Sequence, residues 1–345
     1  MAKVVQVGLG HWGFNWTAHV LPIVPQAEMV GYVDTSEEAL ARVQTELGVP
    51  ASKCFPSLQD AIDTIECDLV LGTLRTQAHY PVAKQALEAG LNVVVEKPFA
   101  STVAEAQALV DLARVQGRVL AVSQNYRFFP APIAAAQLVA AQDLGPIDFV
   151  SLEFRQHAPT LGYRYWDMPD PMLADMSIHH FDLMRMVLGR EPRRLTCRTW
   201  NPVGSPFEHD PSAAALIEFD DGTIVDYQSS WMSSGPRTDW AGEWTMNGAE
   251  GDVWWTSRSP HDETDDRLIV RRRDAAEPVT PRLPELPSTD RAGALAAVVQ
   301  AVDTGTPPSR FPSGSDNINS LALVAATILS AQRDGSWVEI AEVLE

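Results

Sequence analysis

Short apolar runs punctuate the first third of the chain at regular intervals. KVVQV (3–7), AEMVGYVD (27–34), CDLVLGT (67–73), NVVVE (92–96) and VLAVSQ (119–124) each have the length and β-branched content of a buried strand. Between them, apolar positions recur at helical period over about 13–21, 36–47, 57–65, 79–90 and 102–116. Strands alternating with helices predict a mostly parallel, doubly wound sheet with helices on both faces.

From Pro146 onward the period changes to two. IDFVSLEFRQH, RLTCRTW, AAALIEFDDGTIVDYQSSW, EWTMNGAEGDVWWT and DRLIVRRR read as strands, with Asp220-Asp221-Gly222 a hairpin signal. One open, largely antiparallel sheet fits this half. Residues 257–290 are rich in charge and proline, and helices over about 290–304 and 314–333 close the chain. The expected fold is therefore α/β plus α+β: a Rossmann domain over 1–124 and a sheet domain over 125–345, with the last helices able to pack back on the first domain. Trp231, Trp240, Trp244, Trp254 and Trp255 fit core or interface positions better than a sugar-stacking platform.

Composition narrows the class. At 345 residues the chain exceeds one ordinary core, so two domains are expected. A net charge of −19 repels phosphates and anionic lipid, which argues against nucleic acid and membrane partners. The three cysteines are scattered and suggest neither a disulfide framework nor a zinc site. No apolar stretch approaches about 18 residues and no signal-peptide pattern opens the chain, so a cytoplasmic protein is expected.

Against that background two stretches carry chemistry. GLGHWG follows the first strand directly, with Gly8, Gly10 and Gly13 in the G-x-G-x-x-G order, and the second strand ends in Asp34. Glycines of that spacing let backbone approach a pyrophosphate, and an acid there binds ribose hydroxyls. A carboxylate at Asp34, with no arginine in Thr35-Ser36-Glu37, favours NAD over NADP. Asp34 could also cap the following helix. Ligands of doubly wound sheets sit at the carboxyl ends of strands, which here carry Gly8–Gly13, Asp34, Gly72-Thr73, Glu96-Lys97-Pro98 and Gln124-Asn125.

The second stretch is ADMSIHHFD, 174–182. At about 100° per residue, Asp175, His179 and Asp182 share one helical stripe, while His180 points away. Asp170-Pro171 reads as the helix start and Gly189 as its stop. Such a stripe can be a proton relay, half of a metal site or a packed polar face. A metal would need further ligands such as His157 or His209, which have no motif spacing, so no metal is expected.

Taken together, GLGHWG, the segment GTLRTQAHYPVAKQALEAGLNVVVEKPFA and DMSIHHFDLMRMVLG resemble the glucose-fructose oxidoreductase / inositol dehydrogenase / rhizopine catabolism (Gfo/Idh/MocA) family over nearly the whole chain. The resemblance implies an NAD-dependent oxidoreductase acting on a secondary hydroxyl or ketone of a sugar, cyclitol or derivative. It implies Lys97, Asp175 and His179 as catalytic residues, with Asp182 as the family's second acid and no catalytic role for His180. Gly8, Gly10, His11, Trp12, Gly13, Asp34, Thr73, His79, Glu96, Lys97 and Gln124 would line the cofactor. Tyr126, Arg127, Tyr163, Arg164, Trp166, Asp175 and His179 would face a polyhydroxylated substrate. Self-association as a dimer or tetramer through the C-terminal sheet is implied too. One departure is that PMLADMSIHH lacks the glycines usual near the Asp–His motif. Two alternatives stand beside the dehydrogenase: an enzyme that retains NAD and recycles it around elimination or hydrolysis of a glycoside, and a non-catalytic ligand-sensing regulator.

Overall fold

A computed structural model describes residues 1–157, 166–259 and 265–345. The chain forms two compact units. The first comprises Met1–Asn125 with Pro287–Ile318, and the second Tyr126–Leu286 with Asn319–Glu345.

In the first unit, strands β1 (Ala2–Val7), β2 (Ala27–Val33), β3 (Cys54–Phe55), β4 (Leu69–Gly72), β5 (Asn92–Val95) and β6 (Leu120–Val122) pair in the order 3-2-1-4-5-6, all in parallel. This is the doubly wound order whose reversal lies between β1 and β4, where such sheets bind ligands. Helices α1 (His11–Asn15), α2 (Glu37–Leu47), α3 (Leu58–Thr64), α4 (Thr76–Glu88) and α5 (Val103–Gln116) intervene. Ser36, Ser57 and Thr102 each cap a helix with a side-chain oxygen, which explains why α2, α3 and α5 begin where they do. A single π turn, Trp16–Val20, prolongs α1. Helix α4 starts at Thr76, earlier than the sequence pattern suggests, and carries Pro81 inside it. One buried core joins Val4, Trp16, Leu71 and Val94 with Leu295, Val298 and Val299 from the late segment.

The second unit is built on an eight-stranded sheet, β13-β12-β11-β7-β10-β9-β8-β14, antiparallel except between β7 and β10. The strands are β7 (Ile147–Arg155), β8 (Pro192–Trp200), β9 (Ser212–Phe219), β10 (Ile224–Ser230), β11 (Glu243–Gly248), β12 (Gly251–Thr256), β13 (Arg267–Arg272) and the short β14 (Val338–Glu339). Alternation sorts the faces. One buried row crosses the sheet as Leu268, Trp255, Trp244, Leu152, Tyr227, Ala215 and Cys197. Trp244 and Trp255 stack at 4.6 Å within it. Trp231 is buried as well, so the core assignment holds for these three tryptophans. Burial in this row pushes the Cys197 thiol up to about 12 and keeps it protonated. Phe149 and Leu216 point out from the other face.

Helix α6 (Pro130–Ala140) lies in a stretch that the sequence pattern left unassigned. Helix α7 (Ser177–Leu188) is buried on nearly all sides and stops at Gly189, whose φ of 63° is the left-handed cap. A π turn over Met172–Met176 leads into it. Helices α8 (Asp290–Thr304) and α9 (Gly314–Gln332) match the two closing helices read from the sequence, and a short α10 (Ile340–Leu344) ends the chain.

Candidate active site

The glycine loop of the first unit is held from beneath by buried polar side chains. Gln6, a lone amide within the apolar strand β1, donates from Nε2 to the Gly13 carbonyl (2.8 Å) and to Thr73 Oγ1 (3.0 Å). Thr17 donates to Gln6 Oε1 at 2.7 Å, and Thr73 donates to the Gly8 carbonyl at 2.6 Å. Thr73 thus supports the loop instead of facing outward. A Cβ on Gly13 would sit 1.9 Å from the Gly8 carbonyl oxygen, so the loop closes only without a side chain there. At Gly10 a Cβ would meet nothing within 4 Å. Glycine at that position keeps open a space that the chain itself does not fill.

Asp34 stands beside this loop. Its Oδ2 accepts from the Leu9 backbone N–H at 2.6 Å and its Oδ1 from that of Ser36 at 2.8 Å. Each carboxylate oxygen has a second lone pair, which leaves acceptors for ribose hydroxyls. Glu96, at the end of β5, accepts from Trp16 Nε1 at 2.7 Å and from the Lys97 N–H at 3.1 Å. Both Glu96 and Trp16 are buried, so this carboxylate anchors the first helix to the sheet. Lys97 is half-buried on the same rim. At the end of β6 both amide atoms of Gln124 are buried without a protein partner. An amide with donor and acceptor unmet is the complement of a carboxamide such as that of nicotinamide.

His79 is fully enclosed. Its Nδ1 lies 2.9 Å from the Pro98 carbonyl and its Nε2 lies 3.2 Å from that of Leu74. Burial favours the neutral form of this ring, expected at the cofactor, and lowers its pKa, and the ring lies against the Lys97-Pro98 turn. His11 and Trp12, which open α1 within the glycine motif, are exposed. Gly8, Gly10, Gly13, Asp34 and Gln124 fit a bound dinucleotide, with Glu96 and Thr73 as its supports.

In the second unit the π turn over Met172–Met176 carries Asp175, and the first turn of α7 carries His179. The π turn inserts a residue into the helical repeat, so the segment that carries Asp175 departs from the ideal helix read from the sequence. Asp175 is half-buried and His179 is buried. The Tyr126 ring stacks flat on His179 with centroids 4.1 Å apart and planes 6° from parallel. On Tyr126 in turn rests Arg258, its guanidinium carbon 4.7 Å from the ring centre, with Nη1 donating to the phenol oxygen at 2.9 Å.

Two other residues of the stretch are scaffold. Arg127 donates from Nε and Nη2 to the two oxygens of Asp182, both at 2.5 Å, with each side chain almost completely buried. Ser320 donates to Asp182 Oδ1 at 3.0 Å and receives an N–H from Arg185. Arg127, expected at the substrate, spends Nε and Nη2 on this buried carboxylate. His180 is fully buried, its Nδ1 2.9 Å from the Tyr227 hydroxyl and its Nε2 3.1 Å from the Trp240 carbonyl. Burial lowers its pKa to about 4. The neutral ring satisfies both neighbours, so this histidine is a packed core contact.

Of the substrate candidates in the loop before the helix, Tyr163 and Arg164 lie outside the described residues. Trp166 is half-buried, and its enclosed indole N–H meets no acceptor. Among the described residues no cluster of three or more His, Cys, Asp or Glu side chains is arranged to hold a metal ion. No helix among them is long and apolar enough to cross a membrane. Gln6, Trp16 and Arg258 were missed at the level of sequence. Only Gln6 left a signal, as a polar residue inside an apolar strand.

Residues 2–124 match the oxidoreductase family described as an NAD-binding Rossmann fold, and residues 133–270 match the C-terminal domain of the same family. D-apiose dehydrogenase of Paraburkholderia graminis is 26% identical, over 98% of this chain and 89% of its own. The NAD-dependent scyllo-inositol 2-dehydrogenase of Bacillus subtilis is also 26% identical, over 66% of each chain. An oxidoreductase from Agrobacterium radiobacter, solved with NAD+, L-tartaric acid and magnesium, superposes with a TM-score of 0.85 over 99% of both chains at 20% identity.

Proposed function

The chain belongs to the Gfo/Idh/MocA family of NAD-binding oxidoreductases, and from that premise we propose that it transfers a hydride between NAD and a secondary hydroxyl or ketone of a sugar, cyclitol or derivative. The observation that carries this reading is the immobilised imidazole of His179, pressed on Tyr126 beside the Asp175 turn. Relatives named for D-apiose and scyllo-inositol support the substrate class.

NAD, when bound, supplies the hydride acceptor for alcohol oxidation. His179 takes the hydroxyl proton while the C–H bond gives up its hydrogen with the electron pair, leaving a carbonyl. Imidazole is the side chain that both takes up and returns a proton at neutral pH, which suits that transfer. Asp175 orients the ring and stabilises the imidazolium, as acids behind catalytic histidines do. Lys97 donates a hydrogen bond to the reacting oxygen and lowers its proton affinity. In the reverse direction the same groups return the proton. The outward face of the eight-stranded sheet, with Phe149 and Leu216, serves self-association in this reading.

The test is a panel of sugars and cyclitols with purified protein and NAD, following reduced nicotinamide and substrate mass together. Reduced cofactor accumulating with one polyol supports the dehydrogenase and names its substrate class. Substrate consumed without net reduction overturns it in favour of internal recycling. Tight NAD binding with neither signal across the panel overturns it in favour of a sensor.

A further inference from the structure

Arg291 lies in the first turn of α8, within the first unit. Its guanidinium carbon is 4.4 Å from the centre of the Trp12 ring and 5.5 Å from that of Trp16. Trp12 is the second residue of α1, next to the open position at Gly10. Trp16 is bonded to Glu96 at the end of β5, and Asp290, the residue before Arg291, accepts from Asn125 just past β6. These links bring Arg291 to the rim formed by the glycine loop and the ends of β5 and β6.

The guanidinium is enclosed but unsatisfied. Arg291 is 13% exposed at its side chain, yet Nε and Nη1 are buried with no hydrogen-bond acceptor. The nearest carboxylate oxygen, on Asp290, stands 3.7 Å from Nε, beyond hydrogen-bond reach. A cation in the first turn of a helix also opposes the helix dipole, and its ion pair with Asp290 leaves Nε and Nη1 without a hydrogen bond. The chain around it is acidic, with Asp34 and Glu96 on the same rim and a net charge of −19. A dinucleotide brings two phosphates to this rim. The glycine loop offers them backbone N–H groups, and its own side chains, His11 and Trp12, include no permanent cation.

We propose that Arg291 is the side-chain clamp for the cofactor's diphosphate, donating its unmet N–H groups to the phosphate oxygens while Trp12 and Trp16 fix the plane of the fork. Arginine suits this task through planar, charge-assisted donation, and stacking on indole costs it none of its donors. The inference rests on the NAD site described above and adds to it a residue that the glycine motif does not contain.

The test compares binding of NAD, ADP-ribose and adenosine by calorimetry in the wild type, Arg291→Met and Arg291→Lys. Methionine keeps an unbranched apolar stem against the indoles and removes the donors. NAD and ADP-ribose, which carry the diphosphate, are expected to weaken about 10- to 100-fold in Arg291→Met, as loss of a charge-assisted pair implies. Adenosine, which lacks phosphate, is expected to be unchanged. Arg291→Lys is expected to fall between, because the charge remains and the fork is lost. The salt dependence of NAD binding should flatten in Arg291→Met. Equal weakening of adenosine and ADP-ribose would overturn the proposal, since the side chain would then be holding the fold. Unchanged ADP-ribose binding in both variants would overturn it as well. If Arg291→Met does not fold, Arg291→Lys alone decides between these outcomes. A wild type that binds none of the three ligands would remove the cofactor reading itself.

Discussion

Tyr126 and His179 lie ring on ring, 4.1 Å apart and almost parallel, so the imidazole has no freedom to rotate on that side. Replacing Tyr126 by alanine frees the ring, and a misplaced general base costs on the order of 100-fold in kcat. Tyr126→Phe keeps the stacking surface and gives up the bond to Arg258, so its kcat is expected within about 3-fold of wild type. Steady-state kinetics on the substrate found by the panel distinguish the two. Equal loss in both variants would show that the hydroxyl, not the stacked face, is what matters.

Lys97→Ala and His179→Ala are expected to keep NAD affinity and to lose turnover by about 10²- to 10⁴-fold, the usual scale for a proton-transfer group. Ligand titration and turnover on the same preparations read both quantities. Full activity in either variant would remove that residue from the reacting centre.

Gly10 and Gly13 should separate folding from binding. Gly13→Ala drives a methyl into the Gly8 carbonyl, so thermal stability and cofactor binding should fall together. Gly10→Ala meets no atom of the chain, so the melting temperature should barely move while NAD affinity drops at least about 10-fold, because the methyl occupies space that the cofactor's diphosphate needs. A Gly10→Ala protein that binds NAD normally would mean that the open space is not the diphosphate site.

Arg127 and Asp182 form a pair that neither can leave singly. Asp182→Leu takes the carboxylate from a buried guanidinium, and Arg127→Met takes the cation from a buried carboxylate; each should cost about 3–5 kcal/mol in urea unfolding. The double variant removes both charges and should be more stable than the sum of the single losses predicts. Additive losses would mean that the two side chains do not act as a unit.

His180 makes stability fall with acid. Folded, it stays neutral down to about pH 4, while the unfolded chain takes up its proton near 6.5. Its contribution is therefore complete above about pH 6.5 and is lost progressively as pH falls toward 4, amounting to roughly 3 kcal/mol. His180→Gln should be less stable at pH 7 yet show a flatter decline with acid in the same denaturant series. A parallel decline in wild type and variant would place the acid sensitivity elsewhere.

The architecture was legible because it depends on period and punctuation. Strands 3–7, 27–34 and 92–96 have the short apolar runs of a buried sheet, and the period of two after Pro146 marks the second. The glycine loop was legible for the same reason, since its spacing is itself the geometry. Helix α6 escaped because PAPIAAAQLVA is apolar almost throughout and shows no amphipathic stripe. The roles of Arg127 and His79 escaped for a different reason. A motif states which residue types converge, but the partner that occupies a side chain, Asp182 for one and the Pro98 carbonyl for the other, comes from remote parts of the chain. The π turn at Asp175 likewise has no local residue signature, so an ideal helical wheel did not show it.

The segment Pro287–Ile318 gives the first unit a dependence on the order of synthesis. Val122 donates its N–H to the Pro312 carbonyl, Ala121 bridges to Ser313, and Leu295, Val298 and Val299 fill the same core as Val4 and Leu71. On the ribosome, strands β1 to β6 emerge first, but the apolar side chains that α8 covers stay bare until most of the chain has been made. A nascent chain of that kind carries exposed hydrophobic surface through most of its translation, the condition that favours aggregation. A truncated product ending at Asn125 would be a fragment with an open core, prone to aggregate instead of folding as a separate nucleotide-binding domain.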